Sequence, residues 1–122
     1  MNQERLKIGL TELQAKTLDL VMTRRKGSEI ANRDIANAIG LKPRPTSQEG
    51  ADMRSIINAL RRKGYPVIAN GRGYYYPSSE VEVEEYIRSL ANRMHIEQEA
   101  LDGIRAGFED WKEEQKRSII EI

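Results

Sequence analysis

Arg54, Ser55, Asn58, Arg61 and Arg62 stand within nine residues of one another, and Arg72 follows in the stretch NGRGYYY. These side-chain types hold phosphates and read base edges. Arg54, Ser55 and Asn58 are candidates for base contact. Arg61 and Arg62, at the far end of the same segment, suit backbone phosphate, or the negative end of a helix dipole. Arg72, between two glycines, suits a phosphate or a narrow minor groove, or is a plain exposed turn residue. Lys42 and Arg44 add two cations in a loop that is otherwise an ordinary solvated one. Glu49 and Asp52 work against the pattern, because carboxylates repel phosphate; they cap a helix, or Glu49 accepts from cytosine.

Other chemistries find little support. His95 is the single histidine, and Glu99 one helical turn on makes a surface ion pair with it a sufficient explanation. The absence of cysteine excludes a disulfide framework, a zinc thiolate site and a thiol nucleophile. No Gly-Lys-Ser/Thr occurs, and the GRG of residues 71–73 does not belong to a phosphate-binding loop. Pairs such as Glu84-Glu85 fit a solvated helix face. The expectation is a protein that is not an enzyme and needs no metal or cofactor.

The charge distribution points the same way. Over 122 residues the net charge is only +1. Residues 1–78, however, hold 14 Lys and Arg against 7 Asp and Glu, whereas residues 79–122 hold 6 against 12. A basic front suits a polyanion, and an acidic rear suits protein or solvent. The asymmetry can also arise by chance. The N-terminus shows no apolar run of a secretory signal, and no stretch nears the roughly 20 apolar residues of a membrane span. A soluble, cytoplasmic protein with no membrane partner is expected.

The elements that must position these residues follow from periodicity. Thr11 and Gln14 form a capping box, Leu18, Val21 and Met22 a stripe, and Arg24-Arg25-Lys26-Gly27 an end to a first helix. Glu29-Ile30-Ala31 suits a short extended segment. Asn32 is then an N-cap for a short helix with Ile35, Ala36 and Ile39 inward and Gly40 as its stop. Pro43 and Pro45 forbid helix in the loop that carries Lys42 and Arg44. A third helix runs from Ser47 or Gln48 to Lys63, burying Met53, Ile57 and Leu60 and turning Arg54, Ser55, Asn58, Arg61 and Arg62 elsewhere. Val67–Ala69 and Arg72–Tyr76 read as a hairpin whose Asn70-Gly71 turn takes positive φ, with Gly73 removing bulk beside Arg72. Alternation sends Tyr74 and Tyr76 to one face and Tyr75 to the other. One face covers the core, and the other offers a hydroxyl to phosphate, which makes Tyr75 a further candidate; at least one of these tyrosines is simple sheet packing.

A last helix begins at a Ser79/Glu82 capping box. Val83, Ile87, Leu90, Met94, Leu101, Ile104, Phe108 and Trp111 recur in alternating steps of three and four, broken only by Glu97. That is a heptad seam. Gly103 and Gly107 weaken the helix or admit a partner. One helix cannot bury such a seam alone. A homodimer through Leu90, Met94, Leu101, Ile104, Phe108 and Trp111 is expected, in either orientation; otherwise the helix folds back on its own domain or docks another protein.

Helix, short strand, short helix, helix, hairpin is also the order of a known scaffold. The stretches LTELQAKTLDLV, IANRDIANAIGL, MRSIINALRRKGYPVIANGRGYYY and EEYIRSLANR resemble small winged helix-turn-helix DNA-binding proteins of bacteriophages and prophages, over about residues 10–94. The resemblance implies a mainly α fold with a small β-hairpin wing, followed here by a long C-terminal helix. It implies a DNA-binding domain, read here at 8–78, in a bacterial host cell; the heptad seam makes 79–122 a helix for self-association or partner binding. In such folds the third helix enters the major groove and the wing touches flanking backbone or minor groove. Three functions fit: a sequence-specific transcriptional regulator, a DNA-binding replication or packaging accessory that recruits a partner through its last helix, and a protein-binding winged helix without DNA contact. The basic front opposes the third.

Overall fold

The computed structural model of the chain describes residues 9–42 and 46–120. Its elements are α1 (Glu12–Met22), α2 (Asn32–Ile39), α3 (Thr46–Arg62), β1 (Ile68–Asn70), β2 (Gly73–Tyr75) and α4 (Glu80–Ile120). The protein is mainly helical, with one two-stranded antiparallel sheet and a long C-terminal helix. Two compact units meet within α4, after Val83.

In the first unit, α1 opens on the reciprocal capping box of Thr11 and Gln14, both bonds 3.1 Å. It stops at Met22, short of the Gly27 expected from sequence. Thr23 ends it, because both its amide and its hydroxyl bond back to the Leu20 carbonyl. The Arg25 guanidinium then donates to the carbonyls of Met22 and Arg24, at 2.7 and 2.8 Å. The basic run still satisfies orphan carbonyls, but from beyond the helix.

Asn32 is the first helical residue of α2 and not its cap; Ala31 occupies the cap with no side-chain bond. Gly40 closes α2 in the left-handed region, φ +82°, where a Cβ would be strained. α3 packs on both α1 and α2. Its buried stripe is the one periodicity predicts: Met53, Ile57 and Leu60, joined by Leu18, Val21, Ile35 and Ile39.

β1 pairs with β2 in the register Ile68↔Tyr75, Ala69↔Tyr74 and Asn70↔Gly73. A third segment adds to this ribbon. Ile30 and Tyr74 exchange two backbone hydrogen bonds, each 2.9 Å. The extended piece before α2 thus becomes a one-residue strand on the far side of β2. The turn differs from expectation. Neither Asn70 nor Gly71 has positive φ; Gly73 does, at +144°. Asn70 instead holds the turn with its side chain, whose Oδ1 accepts from the Arg72 amide at 2.9 Å.

α4 starts with the Ser79 hydroxyl accepting from the Glu82 amide, while the Glu82 carboxylate reaches one residue further back than expected, to the Ser78 amide. The helix runs unbroken through Gly103 and Gly107. Most of its seam is exposed: Met94 68%, Ile104 71%, Phe108 52% and Trp111 54%. Among the described residues, no helix is long and apolar enough to cross a membrane.

Candidate functional site

The buried stripe of α3 dictates what its other side presents. With Met53, Ile57 and Leu60 in the core, the strip Ala51, Arg54, Ser55, Asn58 and Arg62 is exposed. Four of the five α3 residues expected to make contacts therefore share one outward strip, spaced three and four residues apart.

Arg61 departs from that group. It is partly buried, and its Nε donates to the Val67 carbonyl at 3.0 Å. This bond ties the end of α3 to the start of the hairpin, so Arg61 positions β1 instead of standing with the exposed strip. Periodicity missed this because the acceptor lies in a different element.

Tyr75 also departs from expectation. It is only 6% exposed, and its cross-strand neighbour Ile68 is 3% exposed. Alternation does put Tyr74 and Tyr76 against the main core and Tyr75 on the other face. That other face is covered as well, so Tyr75 is buried there instead of standing outward. Lys42 is exposed after α2. Arg44 lies outside the described residues.

A cleft of about 350 Å³ gathers the remaining features. Ala31, Asn32 and Arg33 at the start of α2 form one wall, Glu49 and Gly50 of α3 a second, and the hairpin from Ala69 to Tyr74 a third. Arg72 sits at the hairpin tip on this cleft, and Arg33 faces it from α2. On α3 the Arg54 guanidinium lies beside Gly50, 3.3 Å from where a Cβ there would stand. Two cations, Arg33 and Arg72, thus line the cleft from two elements, together with the Glu49 carboxylate.

Arg33 was not singled out by sequence reasoning, and only the fold brings it here. It also accounts for Glu49, whose carboxylate lies 3.8 Å from the Arg33 guanidinium. The acid that argued against phosphate is thereby offset by a neighbouring cation. Asn32 adds a polar atom without a partner: its Oδ1 is buried and makes no hydrogen bond in the structure.

The hairpin tip is held firmly behind Arg72. The Asn70 side-chain Nδ2 donates to Glu29 Oε2 at 2.7 Å, and the Gly27 backbone amide donates to the same oxygen at 3.1 Å. These bonds, with Asn70 the leading cause, lower the Glu29 pKa from 4.5 to about 2. Glu29 therefore stays ionised at all ordinary pH values and clamps the turn that aims Arg72. On α4, His95 Nε2 and Glu99 Oε1 form an exposed contact of 2.9 Å. No protein-family model, no curated protein and no solved structure matches the chain.

Proposed function

We propose that the first unit is a winged helix-turn-helix that binds duplex DNA, and that the protein is a sequence-specific transcriptional regulator of the phage or prophage type. The carrying observation is the outward strip of α3, Arg54, Ser55, Asn58 and Arg62, taken with a cleft lined by Arg33 and Arg72. α3 is then the reading helix and β1–β2 the wing. Asn58 reads a base edge in the major groove, and Arg62 holds phosphate. Arg72 and Arg33 grip the backbone flanking the cleft. The basic balance of residues 1–78 supports the same reading.

The exposed α4 seam supports self-association. Met94, Leu101, Ile104, Phe108 and Trp111 leave a long apolar stripe in water on a lone chain, which is unusual for a monomer. We propose a homodimer through this stripe, acting inside a bacterial cell. Fluorescence anisotropy with the full chain tests the DNA reading, using labelled duplexes from its own locus and of random sequence. Tight binding at low salt with preference for one duplex is expected. Failure to bind any duplex at low salt refutes it.

A further inference from the structure

We propose that α4 pairs with a second copy of itself in antiparallel orientation, centred near residue 99. The proposal rests on the self-association reading and supplies what that reading leaves open. Three independent features of the seam select the orientation.

The first is the one charge in the seam. Ile87, Met94, Leu101 and Phe108 occupy one core position of the heptad, and Leu90, Glu97, Ile104 and Trp111 the other. In a parallel two-fold pair each core residue faces its own copy. Two Glu97 carboxylates would then oppose one another inside an apolar seam, which like charges strongly disfavour. Reversing one helix places each Glu97 opposite Leu101 of the second copy and puts the two carboxylates in different layers.

The second is size. Phe108 and Trp111 stack at one end of the seam, with ring centroids 6.2 Å apart and planes 26° off parallel. Ile87 and Leu90 lie at the other end. Parallel pairing would crowd four aromatic rings into two adjacent layers. Antiparallel pairing sets Trp111 opposite Ile87, Phe108 opposite Leu90 and Met94 opposite Ile104. The two aromatic layers then each join a larger side chain to a smaller one, and the Met94–Ile104 layer joins two of similar size, as close packing favours.

The third is charge along the flanks. Glu80, Glu82, Glu84 and Glu85 crowd the first turns of α4, while Lys112, Lys116 and Arg117 lie near its far end. Parallel pairing would set acidic turn against acidic turn. Antiparallel pairing sets those acidic turns against the end that carries these three cations, interspersed there with Glu109, Asp110, Glu113 and Glu114. Glu84 and Lys112 share the heptad position that flanks the seam, so they become neighbours twice. Lys112 already lies over the Phe108 ring, 4.7 Å from its centroid, and is held beside the seam.

The orientation has a functional consequence. The two helix N-termini, from which the DNA-binding units extend, lie at opposite ends of the pair. Such a dimer suits two separate DNA segments better than two adjacent half-sites on one duplex.

The chain has no cysteine, so single substitutions give unique spin-label sites. Gln98→Cys places labels near the centre, and Glu113→Cys places each label about 14 residues from it. Dipolar distance measurement on both full-length variants is expected to read under about 25 Å at residue 98. At residue 113 it is expected to read about 40 Å, from roughly 28 residues at 1.5 Å rise. Short distances at both sites mean parallel helices and overturn the proposal. A long distance at residue 98 overturns the register. No dipolar coupling at either site means a monomer and overturns the dimer as well. Duplex binding measured on the same samples is a separate readout, so loss of the DNA reading with correct distances leaves the orientation standing.

Discussion

Gly73 lies so close to Ile30 that no side chain fits between them. A Cβ on Gly73 would stand 2.3 Å from the Ile30 carbonyl oxygen and 2.6 Å from its carbon, and φ at this glycine is +144°. Backbone cannot move aside as a flexible side chain does. This contact lets β2 take Ile30 as a second strand partner and fixes the hairpin against the start of α2. The wall of the cleft and the direction of Arg72 both depend on it.

Gly73→Ala should therefore destabilise the fold by about 2 kcal/mol or more. Gly71→Ala, two residues away, meets no atom within 4 Å and has no positive φ. It should change stability by less than about 0.5 kcal/mol. Urea unfolding of the two variants makes the comparison. Equal stabilities would mean that the Gly73–Ile30 approach does not hold the hairpin.

Arg61 and Arg62 are adjacent in sequence and should behave differently. Arg61→Ala removes the bond to the Val67 carbonyl and should cost about 1–2 kcal/mol of stability. Arg62→Ala, at an exposed position, should leave stability within about 0.5 kcal/mol and weaken DNA binding on all sequences alike. Thermal melts and duplex titrations on the same preparations separate the two effects.

The Glu29 clamp predicts a pH dependence. Its folded pKa, about 2, lies below its ordinary 4.5. A depressed carboxylate contributes stability that is full above the ordinary value and lost as pH falls through the folded one. The stability gap between the natural chain and Glu29→Gln should thus be constant from pH 7 to about 5 and shrink between 4.5 and 2. A gap that widens on acidification would show that the Asn70 and Gly27 bonds do not favour the ionised form.

The seam prediction needs only a mass. Ile104 is 71% exposed on the single chain. Ile104→Asp should leave the fold of each chain intact, because it removes no buried contact, yet place a charge in the paired seam. Light scattering at tens of micromolar should give a dimer for the natural chain and a monomer for the variant. A natural chain that is monomeric there contradicts the pairing.

Local patterns in the sequence carried much of the structure. The spacing of Met53, Ile57 and Leu60 defines the buried side of α3, and so leaves Arg54, Ser55, Asn58 and Arg62 outside. Thr11 and Gln14 mark a helix start because both partners of the capping box lie three residues apart. Contacts between distant segments were not legible. Ile30 and Tyr74 are far apart in sequence, so nothing local shows that Gly73 is needed for their approach instead of for clearing space beside Arg72. Arg33 meets Glu49, and Arg61 meets the Val67 carbonyl, only after α2, α3 and the hairpin have packed. The burial of Tyr75 is illegible for a related reason: period-two alternation says which face a residue takes, but not whether that face is covered.

The central claim is that α3 and the hairpin together grip duplex DNA. Its most direct test is anisotropy titration of the full chain against its preferred duplex at several salt concentrations, with Asn58→Ala and Arg72→Ala alongside. Affinity should fall with salt at a log–log slope of about −0.9 per phosphate contact. Arg72→Ala should weaken binding to every sequence and flatten that slope by about one contact, whereas Asn58→Ala should cost roughly 1–3 kcal/mol on the preferred duplex and little on random DNA. Binding that is absent at low salt, or that both variants leave unchanged, would contradict the account.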